Sequence, residues 1–236
     1  MKKVITAMLV ASMILAFASC GNNNTDETTT ASTTTAETTT AETTTADTTT
    51  QAPAVTTEDA KTVLNNVYGN FLNKLAPLFG ASSGEELRTY FASAETETIT
   101  ETDENGEEFS YEMPVFGPGA LSLEEADNLT YYTLFPAESV SKISSAACFF
   151  NMMNMNNGTV AAFEVKDAAD VAALADTMKE KITTNMWICG FPERYLIVNV
   201  NGTLISAFGN ADTINSLKDG VLATYADAVV LHDAAL

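Results

Sequence analysis

Few side chains in this sequence have the types and spacing that catalysis requires. The single histidine, His232, stands next to Asp233, and such a pair can orient an imidazole for proton transfer. No nucleophile motif accompanies it, so we expect no catalytic role there. The stretch Ser139–Lys142 matches the serine-x-x-lysine of penicillin-interacting enzymes, but the partner motifs Ser-Asp-Asn and Lys-Thr-Gly are missing from the sequence. We therefore expect a polar loop at 139–142 and a protein that is not an enzyme.

Composition also argues against metal and nucleic-acid chemistry. Asp plus Glu number 31 against 11 Lys plus Arg, giving a formal net charge of -20, which repels a phosphate backbone. One histidine is too few for the zinc motifs that need two. The acids Asp103, Glu104, Glu107 and Glu108 lack the spacing of a calcium-binding loop, so we expect a charged hairpin tip. We predict no cofactor, no metal ion and no nucleic-acid partner.

The stretch around the only tryptophan is the best candidate for binding. It joins a predicted helix to a predicted strand and places aromatic residues beside glycine and proline, which is typical of concave binding surfaces on loops. The alternative is that Trp187 and Phe191 seal the edge of the hydrophobic core. The candidate binding-loop residues are Trp187, Cys189, Phe191, Arg194 and Tyr195.

Methionines and cysteines leave two more alternatives open. Met152, Met153 and Met155 fall at near-alternating positions, as expected for the packing face of a strand or for an adaptable contact surface. Cys148 and Cys189 could form a disulfide in an extracellular protein. We favour two free thiols, because a domain of this size does not need a disulfide for its stability.

The N-terminus predicts export. Lys2 and Lys3 precede an apolar run at 4–18, the pattern of a signal peptide that is too short to span a bilayer. The sequence Phe17-Ala18-Ser19-Cys20 resembles the lipobox of bacterial lipoproteins, which implies a signal peptide at 1–19 and a lipid on Cys20. Ordinary secretion with cleavage after Ala18 is the alternative. We expect a protein anchored by its lipid to the extracytoplasmic face of the cell membrane.

Residues 20–57 predict a disordered linker after the lipidation site. The tract consists mainly of Thr, Ala and acidic residues in units of five, and no large apolar residue occurs in it before Val55. Such a composition cannot bury enough surface to offset the entropy of ordering. As a flexible coil it would reach roughly 30 to 40 Å, which suits a stalk between membrane and domain.

The remaining segment, 58–236, is long enough for a single domain with its own core. Apolar residues at helical spacing over 60–75 predict a helix after a Thr56/Thr57 cap. Asn105-Gly106 predicts a mostly solvent-facing hairpin at 95–112, and Asn201-Gly202 predicts another. The C-terminal half follows the order β-β-α-β-β-α-β. We expect an α+β domain, a mainly antiparallel sheet with helices packed on one face.

Three segments in the C-terminal half resemble a known family. The stretches Thr159–Asp167, Asn185–Glu193 and Ala207–Gly209, in that order and spacing, are similar to a family of uncharacterised lipoproteins from Gram-positive anaerobic bacteria. The resemblance spans roughly 129–230 and implies a location and a domain of unknown function, with no activity to transfer. We expect a binding or interaction module at the cell envelope, whose partner beside the membrane is an envelope protein or a small ligand that the sequence does not identify. The alternatives are a structural or assembly partner of another envelope protein and, third, a secreted enzyme.

Overall fold

A computed structural model describes residues 58–236, so the predicted signal peptide, Cys20 and the linker lie outside the described residues. The described helices are α1 (Ala60–Leu75), α2 (Ala126–Thr133), α3 (Val171–Thr184) and α4 (Ala211–Thr224). The described strands are β1 (Phe91–Thr102), β2 (Glu108–Phe116), β3 (Gly119–Leu121), β4 (Ile143–Asn151), β5 (Gly158–Val165), β6 (Arg194–Val200), β7 (Thr203–Gly209) and β8 (Val229–Ala235). Short 3-10 turns occupy Ala76–Phe79, Gly84–Tyr90, Ala137–Lys142, Met155–Asn157 and Ala168–Asp170.

The strands form one antiparallel sheet in the order β2-β1-β4-β5-β7-β6-β8, and the short β3 also pairs with β4. The predicted element order of the C-terminal half is present as β4-β5-α3-β6-β7-α4-β8. At the β6–β7 turn, Asn201 and Gly202 have φ values of 50° and 93°, which matches a two-residue hairpin turn of the primed type. The α+β class and the mainly antiparallel sheet are therefore confirmed.

The helices cover both faces of the sheet, which corrects the expectation of one face. Successive residues of a strand point to opposite faces, and β5 shows this directly. Val160 and Ala162 belong to the core formed with α1 and α4, whereas Ala161 and Phe163 belong to the core formed with α2 and α3. The continuous apolar run in β5 is the pattern of a strand buried on both sides. Helices above and below the sheet supply that burial.

Helix α1 crosses α4 on the first face. The carboxylate of Asp59 accepts hydrogen bonds from the backbone N–H groups of Lys61 (3.0 Å) and Thr62 (3.1 Å), so Asp59 is the N-cap instead of the predicted Thr56/Thr57 pair. Gly220 of α4 lies so close to α1 that a Cβ there would stand 2.8 Å from the backbone nitrogen of Phe71. The glycine therefore permits the two helices to pack closely on this face of the sheet.

The predicted hairpin around Asn105-Gly106 is present as β1 and β2, and it extends beyond the rest of the sheet. Strand β1 pairs with β4 only at Phe91 and Ala92. Its register with β2 shifts between Ala92 and Thr96, and from Thr96 onward β1 pairs with β2 alone. The two-stranded segment is largely exposed to solvent.

Candidate functional site

Two loops meet at one end of the sheet and form the candidate site. One loop, residues 185–193, joins α3 to β6; the other, residues 152–157, joins β4 to β5. The side-chain amide of Asn154 donates to the carbonyl of Cys189 (2.8 Å), and that of Asn156 donates to the carbonyls of Ile188 (2.8 Å) and Gly190 (3.1 Å). These amides hold the first loop against the second.

The tight backbone of the first loop explains why a glycine stands at its centre. Cys189 and Gly190 both adopt positive φ, at 64° and 125°. A Cβ on Gly190 would lie 3.1 Å from the amide nitrogen of Asn154, so a side chain there would crowd the hydrogen bond that positions the loop. The glycine thus permits both the turn and its attachment.

Trp187 and Tyr195 pack inward. The ring of Trp187 lies against that of Phe208, with centroids 5.0 Å apart, and both residues join a cluster with Tyr195 and Ile182 on the α3 face. Tyr195 is buried in that cluster. Of the two interpretations for Trp187, sealing the edge of the core matches its position.

Arg194 points away from the loop. Arg194 and Tyr195 are neighbours on β6, so their side chains emerge on opposite faces of the sheet. Arg194 forms an ion pair with Asp233 of β8, and Lys218 of α4 contacts the same carboxylate at 3.0 Å. Burial acts to raise the pKa of Asp233, but the hydrogen bonds from Arg194 and Lys218 outweigh it and hold that pKa below its usual value. The arginine therefore belongs to a structural ion-pair network.

The side chains that do face solvent at this end are apolar. Ile188 and Phe191 of the first loop are 78% and 71% exposed, and Met153 of the second loop is 87% exposed. The two loops that carry these side chains are held together by the amides of Asn154 and Asn156, and large apolar side chains exposed in one region of a surface are unusual. We call the group the end surface; it consists of Tyr131, Met152, Met153, Met186, Ile188 and Phe191.

Helix α2 reaches the end surface through a cleft. The cleft measures about 300 Å³ and lies between the end of α2 and the first loop. Its lining includes Tyr131 and Leu134 from the α2 side, and Trp187, Ile188 and Cys189 from the loop. The candidate residues from the sequence did not include Tyr131, Met186 or Ile188. Met186 and Ile188 flank Trp187 in the predicted loop, whereas only the tertiary structure brings Tyr131 to it.

Three segments that meet at this end of the molecule carry no charged side chain. Residues 128–136, 151–163 and 182–192 contain no Asp, Glu, Lys, Arg or His, although the whole chain carries a formal charge of -20. Depletion of charge together with enrichment in aromatic residues and methionine is the composition of the buried centre of protein interfaces. The absence of charged residues was visible in the sequence and could have extended the candidate site beyond the tryptophan loop.

The residues considered for catalysis do not come together. His232 contacts Asp176 of α3 at 2.9 Å, whereas Asp233 points to the opposite face, as neighbours on a strand must. Ser139 and Lys142 lie in a 3-10 turn, where the expectation was a polar loop; Ser139 is buried and Lys142 pairs with Asp170 at 2.9 Å. Within residues 58–236 there is no group of three or more side chains suited to hold a metal ion.

The two cysteines of the described part are both free. Cys148 lies in the core of β4, where burial raises the pKa of its thiol to about 12. Cys189 is exposed at the rim of the end surface. The thiols therefore differ in access, and Cys189 offers a natural point of attachment for a chemical probe.

Comparison with known proteins found no match: no family model fits the chain, and neither a curated protein nor a solved structure is significantly similar to it. The resemblance to a lipoprotein family accordingly stays a prediction from the sequence. Among the helices of residues 58–236, none has the length and apolar character needed to cross a membrane.

Proposed function

We propose that this protein is a lipid-anchored binding module of the cell envelope. In this proposal Cys20 carries the anchor, residues 20–57 provide the tether, and the end surface binds an uncharged, apolar face of another envelope protein. One observation carries the proposal: large apolar side chains are exposed on residues 151–163 and 182–192, two segments without a charged residue in a strongly acidic chain. An acidic domain repels anionic wall polymers and lipids. The electrostatic repulsion of a partner is therefore weakest at a face without charged side chains.

The end surface has the energetic features of a contact site. Burying a large apolar side chain contributes about 1.5 to 3 kcal/mol, so a few such residues suffice for specific binding. The amides of Asn154 and Asn156 already hold the loop in place, which lowers the ordering cost on binding. Methionines at 152, 153 and 186 add side chains that can adapt to a partner's shape.

The alternatives differ from this proposal in stoichiometry and chemistry. A permanent assembly partner would use the same surface, but it would stay in a fixed ratio with its complex after solubilisation. A secreted enzyme would need ionisable groups placed beside a cleft. The cleft next to Trp187 is lined by amides and apolar side chains, with Tyr131 and Cys189 as its titratable members, which favours binding over acid–base chemistry.

Cross-linking from Cys189 tests the binding surface. A photoactivatable maleimide attached to this exposed thiol in intact envelopes should capture one protein reproducibly. Phe191→Ser or Ile188→Ser should lower the yield about tenfold or more, since a central contact contributes roughly 2 kcal/mol. Leu78→Ser is the matched control, because Leu78 is 57% exposed but lies outside the end surface. An equal loss with Leu78→Ser, or none with Phe191→Ser, would refute the assignment.

The anchor is tested separately by the intact mass of the protein from the envelope fraction. Lipidation predicts a chain that begins at Cys20 and carries diacylglycerol, and Cys20→Ser should release the protein from the membrane. A chain that begins at Ser19 without lipid would replace the anchored protein with a secreted one and leave the end surface unaffected.

A further inference from the structure

The outer part of the β1–β2 hairpin is a ribbon with an unpartnered apolar face. We call it the acidic arm; it comprises residues 96–114. Directly opposed residues share a face, and the register pairs Ile99 with Tyr111, Glu101 with Phe109 and Glu97 with Met113. In the described part of the chain, no third strand pairs with either edge of the arm beyond Ala92.

The two faces of the arm differ in chemistry. On one face, Phe109 and Tyr111 are exposed and their rings stack with centroids 6.1 Å apart, next to Ile99. On the other face, polar pairs cross the strands, such as Thr98 with Glu112 and Thr100 with Ser110. A two-stranded ribbon is marginal in water unless a face is covered. A partner that covered the apolar face would therefore bury the most apolar surface.

The rim of that face is acidic throughout. Every charged residue from 95 to 112 is Asp or Glu. Lys61 pairs with Glu95 at the base of the arm (2.8 Å), but no ion pair among residues 58–236 reaches Glu97 or Glu101. These two acids lie on the apolar face itself, on either side of Ile99 in sequence. A ligand for this face must therefore supply positive charge as well as apolar surface.

We propose that the acidic arm is a second docking surface and that its occupant is a basic segment of another protein, in which Lys or Arg alternates with apolar residues. The cationic groups pair with Glu97 and Glu101, while their aliphatic stems lie over the rings of Phe109 and Tyr111. Apolar side chains of the segment cover Ile99. Anionic lipids and a second copy of this acidic chain carry the wrong charge for the surface.

This inference is independent of the proposed function, because the acidic arm shares no residue with the end surface. A peptide can therefore test it without knowledge of the natural partner. The probe is a fluorescent ten-residue peptide of alternating lysine and leucine, titrated into the full chain and followed by anisotropy. The matched peptide of alternating serine and leucine keeps the apolar residues and removes the charge.

Two pairs of substitutions separate the arm from general charge attraction. Glu97→Gln with Glu101→Gln should weaken binding of the lysine peptide at least tenfold. Glu124→Gln with Asp127→Asn removes the same charge from an exposed segment outside the arm and should change binding less than twofold. Phe109→Ser, which leaves every charge in place, should weaken binding about fivefold or more.

Several outcomes would overturn the inference. If the two pairs of substitutions weaken peptide binding equally, the peptide responds only to the net charge of the chain. Binding unchanged by Phe109→Ser would mean that the apolar face is not used, and equally tight binding of the serine peptide would remove the need for positive charge. If calcium ions bind the arm and displace the peptide, the arm is a metal site instead. Phe191→Ser should leave peptide binding intact, which keeps this test separate from that of the end surface.

Discussion

The end surface and the acidic arm both expose large apolar side chains, but their surroundings differ in charge. Phe191 lies in a segment without any ionisable side chain other than a cysteine, whereas Phe109 lies among glutamates. The same aromatic residue can thus serve two kinds of contact. In the two proposals, exposed apolar area marks the site of contact, and the neighbouring charges determine which partner fits it.

The two regions also differ in what holds them in place. The end surface is attached to the core through Trp187 and to the adjoining loop through Asn154 and Asn156. The arm is held by cross-strand pairs and by its attachment to β4 at Phe91 and Ala92. We expect the first to be preorganised and the second to become ordered further when it binds.

Replacement of Trp187 should have the largest effect. Trp187→Ala removes the ring that packs on Phe208, so we expect the free energy of unfolding to fall by about 2 to 3 kcal/mol. Phe191→Ala, at an exposed position four residues later, should change it by less than about 0.5 kcal/mol. Urea denaturation followed by far-UV circular dichroism measures both. Similar losses of stability for the two variants would show that Phe191 packs in the core as Trp187 does. Phe191 would then not be an exposed contact residue.

Salt should have the second largest effect, because it should weaken binding at the acidic arm and leave binding at the end surface nearly unchanged. Screening weakens contacts between exposed charges, so binding of the lysine peptide to the arm should fall roughly tenfold between about 50 mM and about 500 mM sodium chloride. The cross-linking yield from Cys189 should change by less than about twofold over the same range, because the end surface has no charged side chain of its own. A steep salt dependence of the cross-link would contradict the comparison.

Removal of the loop amides should have a smaller effect. Asn156→Ala deletes the donor to the carbonyls of Ile188 and Gly190. We expect the free energy of unfolding to fall by about 1 kcal/mol. Amide hydrogen exchange in residues 187–191 should become faster at the same time. Thr100→Ala, which deletes an exposed hydroxyl contact to Ser110 in the arm, is the control and should be nearly neutral. Unchanged exchange in the loop would show that the amides do not position it.

The smallest effect concerns the turn of the arm. The backbone N–H of Glu107 and the side chain of Asn105 donate to the carboxylate of Asp103, which holds the pKa of Asp103 below its usual value. Because the folded-state pKa is the lower one, this contribution is present above the unfolded pKa and is lost as the pH falls through the folded pKa. NMR titration of the full chain, compared with the chain in urea, should show the lower midpoint in the folded state. A midpoint at or above that in urea would contradict the turn geometry.

Local patterns predicted helix α1 and the elements of the C-terminal half well. A two-residue hairpin turn of the primed type needs positive φ at both central residues, and Asn201 and Gly202 both have positive φ. Apolar residues at helical spacing predicted α1, whose buried residues fall on one stripe from Ala60 to Leu75. These features depend on the backbone and side chains within a few residues of each other, so a sequence reports them directly.

The candidate site was predicted in part. Trp187 to Phe191 do form a loop at one end of the sheet, but Arg194 points to the opposite face and Tyr195 enters the core. Whether a residue near the start of a strand faces a loop or a helix depends on strand register and on which helices cover each face. Tyr131 joins the end surface from a helix more than fifty residues earlier in the chain.

The sequence alone determined the acidic charge, the order of helices and strands in the C-terminal half and the turns that join them, because each arises from composition or from neighbours along the chain. The export signal stays a prediction from the sequence. The tertiary structure decided that helices cover both faces, that β5 lies beside β7 and that three uncharged segments meet at one end. Those outcomes depend on packing between residues far apart in sequence. Many strand orders would satisfy the same local patterns, and only burial of both sheet faces selects among them.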